Sequence, residues 1–109
     1  MFNDISFIGI NMTVKDILDI INEINKKSGI PNPTYYYLNG GCYIFAKGLQ
    51  YNIGGSIRYL IKEYHCILER NGKLYDTTGN VTKKYKNSEY IGEEEFLNRP
   101  KLHNTIRLN

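Results

Sequence analysis

The chain has 109 residues, a formal net charge of +3, 41% hydrophobic and 23% charged residues. That length holds one domain around a single thin core and excludes large architectures such as an eightfold α/β barrel. The balance excludes a disordered chain and lacks the dense Lys/Arg loading of a dedicated nucleic-acid binder.

Ile, Asn, Lys and Tyr make up 48 of the 109 residues. Their codons are A/T-rich, so the skew reads as base composition and weakens any argument from one Tyr or Lys alone. Two cysteines, Cys42 and Cys66, make no disulfide framework, and the CxxC spacing of a zinc site is absent. A Cys42–Cys66 disulfide is disfavoured in a reducing cytoplasm. Met1–Asp4 carries no basic run and no long apolar segment follows, so neither a signal peptide nor a membrane span is expected, and the expected location is cytoplasmic. No cofactor and no metal are expected.

Residues 4–10 are a short apolar lead-in of open type. Thr13 with Asp16 resembles a capping box, and Val14, Ile17, Leu18, Ile21 and Ile24 form one apolar stripe at helical spacing, which predicts a helix over 13–28. Lys26 and Lys27 suit its last turn, and Gly29 its end. Pro31-Asn32-Pro33 reads as a rigid loop and Tyr35-Tyr36-Tyr37-Leu38 as extended or irregular chain. Asn39-Gly40-Gly41 then breaks the backbone before a short helix over 42–49, with apolar positions 42, 45, 46 and 49 on one face. Residues 57–69 read as one strand with a kink. Asn71-Gly72 is a strong two-residue hairpin signal, and 74–78 is the return strand. The polar stretch 82–88, with Lys83, Lys84 and Lys86, reads as a solvated face. A helical turn is expected over 93–97.

The hairpin carries the first chemical signal. A two-residue loop sets Arg70 opposite Lys73, His65 opposite Thr78 and Ile67 opposite Asp76. His65 and Asp76 then share a face as diagonal neighbours, close enough for the carboxylate to orient the imidazole. Glu69 shares that face but lies beside the turn and is the poorer orienter. Parity puts Cys66 on the opposite face, where core packing is expected. His103 is a rival base in a Pro-interrupted tail.

The second signal is Cys42. It opens a helix directly after two glycines, where free N–H groups favour an anion, lower a thiol pKa and can hold a substrate oxyanion. Gly40 and Gly41 would let a ligand approach the backbone.

In this order the residues resemble the papain-like cysteine peptidase superfamily: Cys42 in Asn39-Gly40-Gly41-Cys42-Tyr43-Ile44-Phe45-Ala46, His65 in His65-Cys66-Ile67-Leu68-Glu69, and Asp76 in Leu74-Tyr75-Asp76-Thr77-Thr78-Gly79. Compact bacterial and phage members, among them relatives of NlpC-type cell-wall peptidases and bacteriocin-processing peptidases, have a similar layout. The resemblance covers residues 36–80. It implies an α+β fold over 1–109, with an N-terminal helix and a Cys-bearing helix packed on a small antiparallel sheet. It also implies acyl transfer through a cysteine thioester: Cys42 as nucleophile, His65 as base and Asp76 as orienter. Larger members line the oxyanion hole with a Gln or Tyr several residues before the Cys. Asn39, Tyr36 and Tyr37 are the candidates here, with Asn39 favoured as an amide donor. The implied partner is a peptide or amide substrate. The alternative is a small phage or mobile-element inhibitor, or another protein-binding domain, that keeps the scaffold without turnover.

Overall fold

The computed structural model describes residues 12–109; the lead-in at 4–10 lies outside them. The fold is α+β. Helices α1 (Val14–Lys27), α2 (Pro33–Leu38) and α3 (Cys42–Ile53) come first. Strands β1 (Ser56–Leu60), β2 (His65–Arg70), β3 (Lys73–Asp76) and β4 (Gly79–Asn80) follow. Helix α4 (Thr82–Tyr85), strand β5 (Tyr90–Gly92), helix α5 (Glu93–Leu97) and a 3₁₀ turn over Pro100–His103 complete the chain. The five strands form one antiparallel sheet in the order β4-β3-β2-β1-β5.

Helix α1 starts where the capping residues dictate. The Thr13 hydroxyl accepts the Asp16 N–H, and the Asp16 carboxylate accepts the Thr13 N–H, at 3.1 and 3.0 Å. Such a cap is worth about 1 kcal/mol. Ile17 and Ile21 on its apolar stripe are fully buried. The Asn71-Gly72 turn is also as the sequence reads. Both residues have positive φ, 52° and 78°, as a type I′ turn demands, and Arg70 pairs with Lys73 and Leu68 with Tyr75.

Four expectations are corrected. Tyr35–Leu38 is helical within α2, because Pro33 sits in its first turn, where proline is at home, and the tyrosines need no strand pairing. Helix α3 runs on to Ile53, since Leu49 and Ile53 continue its buried face. The single kinked strand is two strands joined by a tight reversal at 61–64, where Tyr64 takes φ 53° and Leu60 pairs with His65. The return strand ends at Asp76, and Gly79-Asn80 forms β4 against it.

The sheet has two unlike faces. Ile57, Tyr59, Cys66, Leu68 and Tyr75 point to one side and join the main core with Ile17, Ile21, Phe45, Leu49 and Phe96. Leu60, Ile67 and Leu74 point to the other, where Val81 and Tyr85 give light cover. Among the described residues, no helix is long and apolar enough to cross a membrane.

Candidate active site

The loop from Asn39 to Gly41 positions Cys42. The Asn39 and Gly41 N–H groups both donate to the Tyr36 carbonyl, at 3.1 and 3.0 Å. Gly40 has φ 109°, a region that favours glycine. A Cβ on Gly41 would lie 2.5 Å from the Tyr36 ring. The close approach expected of a ligand is thus made by the chain itself, through Tyr36 and the C-terminal segment, whose Arg107 N–H donates to the Gly40 carbonyl at 2.7 Å. Helix α3 begins at Cys42, so the Cys42 N–H belongs to the first turn, whose amides have no partner within the helix.

His65 is the first residue of β2, and Asp76 the last of β3. His65 Nε2 lies 2.9 Å from Asp76 Oδ2, and both side chains are buried. The other carboxylate oxygen accepts the Thr78 N–H at 2.8 Å and the Thr78 hydroxyl. The two oxygens of Asp76 therefore act separately. One holds the imidazole, and the other fixes the carboxylate in its turn. The turn is tied to α1 by Asn25, whose amide donates to the Thr77 carbonyl and accepts the Thr77 hydroxyl.

Cys42 reaches this pair at the end of the strands. With Nε2 held by Asp76, Nδ1 is the ring nitrogen left for Cys42, and the thiol and the imidazole shift each other's pKa in the sense of an ion pair. The Cys66 N–H donates to Cys42 Sγ at 3.2 Å, and the Cys66 thiol lies near enough to shift the Cys42 pKa. The Cys66 N–H at the sulfur and the neighbouring imidazole favour its thiolate. The Cys66 thiol, then His65, bring the Cys42 pKa down to about 5 against the opposing effect of burial. Burial works against a charged His65, but the bonds to Asp76 and Cys42 outweigh it and raise its pKa to about 9. Asp76 is lowered despite its burial, chiefly by its bond to His65. Cys66 is pushed well up by its bond to Cys42 and by burial. The negative charge belongs on Cys42, which opens α3 next to the imidazolium, rather than on Cys66 inside β2.

A groove of about 380 Å³ reaches Cys42, lined by Asn39, Gly40, Glu63, Tyr64, Thr105 and Ile106, among others. The Asn39 amide stands on its wall but donates to the Tyr35 carbonyl at 2.8 Å. Tyr36 packs over Gly41, and Tyr37 is buried in the core. Glu69 accepts the Gly72 N–H in the hairpin turn, and His103 bonds the Phe96 carbonyl. Cys42, His65 and Asp76 come together; Glu69 and His103 lie elsewhere.

Sequence reasoning missed Asn25 and the role of Cys66. The Asx-type bond from Asp76 to Thr78, which the sequence offers as the plain alternative to orienting His65, is present beside the His65 bond. For Cys66 the parity was right, but Cys42 lies in the core on that same side. Among the described residues, no three His, Cys, Asp or Glu side chains gather so as to hold a metal ion. No protein-family model, curated protein or solved structure matches this chain.

Proposed function

We propose that this protein is a papain-like cysteine hydrolase or acyltransferase acting on a peptide or amide bond. The observation that carries the reading is the buried relay in which Asp76 holds His65 and His65 meets Cys42. The Cys42 thiolate attacks the substrate carbonyl, and a tetrahedral oxyanion forms. The N–H of Cys42, in the first turn of α3, is its donor, with the Asn39 amide as the second candidate on the groove wall. The His65 imidazolium gives its proton to the leaving amine, which leaves a thioester on Cys42. The neutral imidazole then takes a proton from water or from an acceptor amine, and the thioester breaks.

The probe is p-nitrophenyl acetate, whose acyl group needs no substrate pocket. Wild type is expected to give a burst of nitrophenolate and an acetyl group on Cys42 by mass spectrometry. Cys42→Ser should give no burst. His65→Ala should move the pH midpoint of Cys42 alkylation by iodoacetamide up toward the free-thiol value of about 8.5. A midpoint indifferent to His65, with no acetyl-enzyme, overturns the reading.

One observation favours a second reading, a protein-binding domain without turnover. Cys42 is only 4% exposed, and the 105–107 segment pins the Gly40 backbone beside it, while Tyr35, Tyr51 and Tyr64 stand open to solvent. That reading expects a normally folded protein with no burst.

A further inference from the structure

Cys66 touches the reacting sulfur, yet acyl transfer gives it nothing to do. Its N–H donates to Cys42 Sγ at 3.2 Å. Both cysteines are free and buried. The Cys66 Cα is one bond of about 1.5 Å beyond its nitrogen. Cys42 Sγ is therefore within about 4.7 Å of the Cys66 Cα, close enough for the Cys66 side chain to be turned toward it as a disulfide requires. The two sulfurs are not equivalent to a reagent in solvent. Cys42 lines the groove, whereas Cys66 is 1% exposed behind it, in the core with Tyr59 and Leu68.

We propose that Cys42 and Cys66 form a redox-active dithiol, in which a hydroperoxide oxidises Cys42 and Cys66 resolves the product as a Cys42–Cys66 disulfide. In the first step the Cys42 thiolate attacks the outer oxygen of the hydroperoxide. The O–O bond breaks, and the departing alkoxide takes the proton of the His65 imidazolium and leaves as an alcohol, or as water when the oxidant is hydrogen peroxide. Cys42 is left as a sulfenic acid. In the second step the Cys66 sulfur attacks the Cys42 sulfur. The S–S bond forms, the S–O bond breaks, and hydroxide departs with the Cys66 proton as water. The two thiols lose two electrons, and the hydroperoxide gains them.

The resting site explains why the second step waits for the first. The bond to Cys42 and burial hold Cys66 protonated, and the charge on Cys42 adds to this. A neutral sulfenic acid removes that charge at the moment Cys66 is needed. The disulfide takes away the nucleophile and protects it from further oxidation, and a thiol reductant restores it. The proposal requires the reactive Cys42 sulfur but does not require acyl transfer.

The test is peptide mapping of the reduced protein after hydrogen peroxide, without reductant. The expected result is the loss of two hydrogens and a link between the Cys42 and Cys66 peptides, reversed by dithiothreitol. Iodoacetamide labelling of Cys42 should fall at least about tenfold and recover with the reductant. Cys66→Ala should give no link, a Cys42 sulfenic acid captured by dimedone, and onward conversion to the sulfinic acid. Wild type that carries sulfinic acid on Cys42 without a link, or that does not react, overturns the proposal. Wild type alone decides the outcome, so the test stands even where Cys66→Ala fails to fold. A link without a nitrophenolate burst removes the hydrolase reading and leaves the dithiol; a burst without a link does the reverse.

Discussion

The two faces of the sheet divide the labour. The face toward α1 and α3 buries Tyr59, Cys66, Leu68 and Tyr75 against a thick layer of helical side chains. The opposite face holds Leu60, Ile67 and Leu74 under Val81 and the half-buried Tyr85, and it carries the polar pair His65 and Asp76. A thick apolar layer supplies most of the stability. The buried pair is tolerated under the thin one because its polar atoms are hydrogen-bonded, His65 to Asp76 and Asp76 to Thr78. Cys42 connects the two: its helix belongs to the thick side, and its sulfur meets His65 at the strand ends.

The strongest way to break this comparison is to truncate one leucine on each face. Leu49 is fully buried in the thick core, and Leu74 is 4% exposed under the thin cover. Leu→Ala changes in cores cost about 2–5 kcal/mol, with the larger losses where neighbours cannot close the cavity. Leu49→Ala is expected near the upper end and Leu74→Ala near the lower, by urea unfolding. Equal losses would mean that the second face is as firmly packed as the first.

A second comparison sharpens the role of the polar pair through pH. Asp76 raises the His65 pKa, so Asp76→Asn should lower it. The pH–rate profile of acyl transfer is expected to be bell-shaped, rising near 5 with Cys42 and falling near 9 with His65. Asp76→Asn should move the falling limb to lower pH and leave the amide to hold the ring. The stability effect has the same sign. A group whose pKa rises on folding stabilises the fold in full below its unfolded value, here about 6.5, and that contribution fades as pH rises through about 9. The stability gap between wild type and Asp76→Asn should therefore narrow above pH 9. A gap that widens there would show that His65 is not the charged partner.

The sequence made one half of this division easier to read than the other. The apolar stripe of α1, its Thr13–Asp16 cap and the Asn71-Gly72 turn are local signals, and the structure has all three. The turn fixes the register, and the register brings His65 and Asp76 together. Tyr35–Leu38 misled because tyrosines have strand propensity, while the proline at the start of α2 set a helix. The kink at 61–64 was a complete reversal, since Tyr64 in the left-handed region is not announced by a glycine. The contact of Cys66 with Cys42 depends on how α3 lies across β2, which no local pattern states.

The smallest effect expected is at Tyr59, on the thick face beside the site. Its ring is fully buried, stacks on Phe96 with centroids 4.7 Å apart, and belongs to the residue paired with Cys66. Its hydroxyl has no hydrogen-bond partner among the described residues. Burial, with the cysteines nearby, raises its pKa, so it stays neutral across the working range. A buried hydroxyl without a partner forfeits its hydration and gains nothing in return, a cost of about 1–3 kcal/mol. Tyr59→Phe keeps the stacked ring and removes only the oxygen. It should stabilise the fold by about 1 kcal/mol, measured as a higher urea midpoint at unchanged m-value, and should leave the rate of Cys42 alkylation where it was. A loss of stability would mean that the hydroxyl is satisfied after all. A slower alkylation would mean that the thick face reaches into the chemistry through Tyr59 as well as through Cys66.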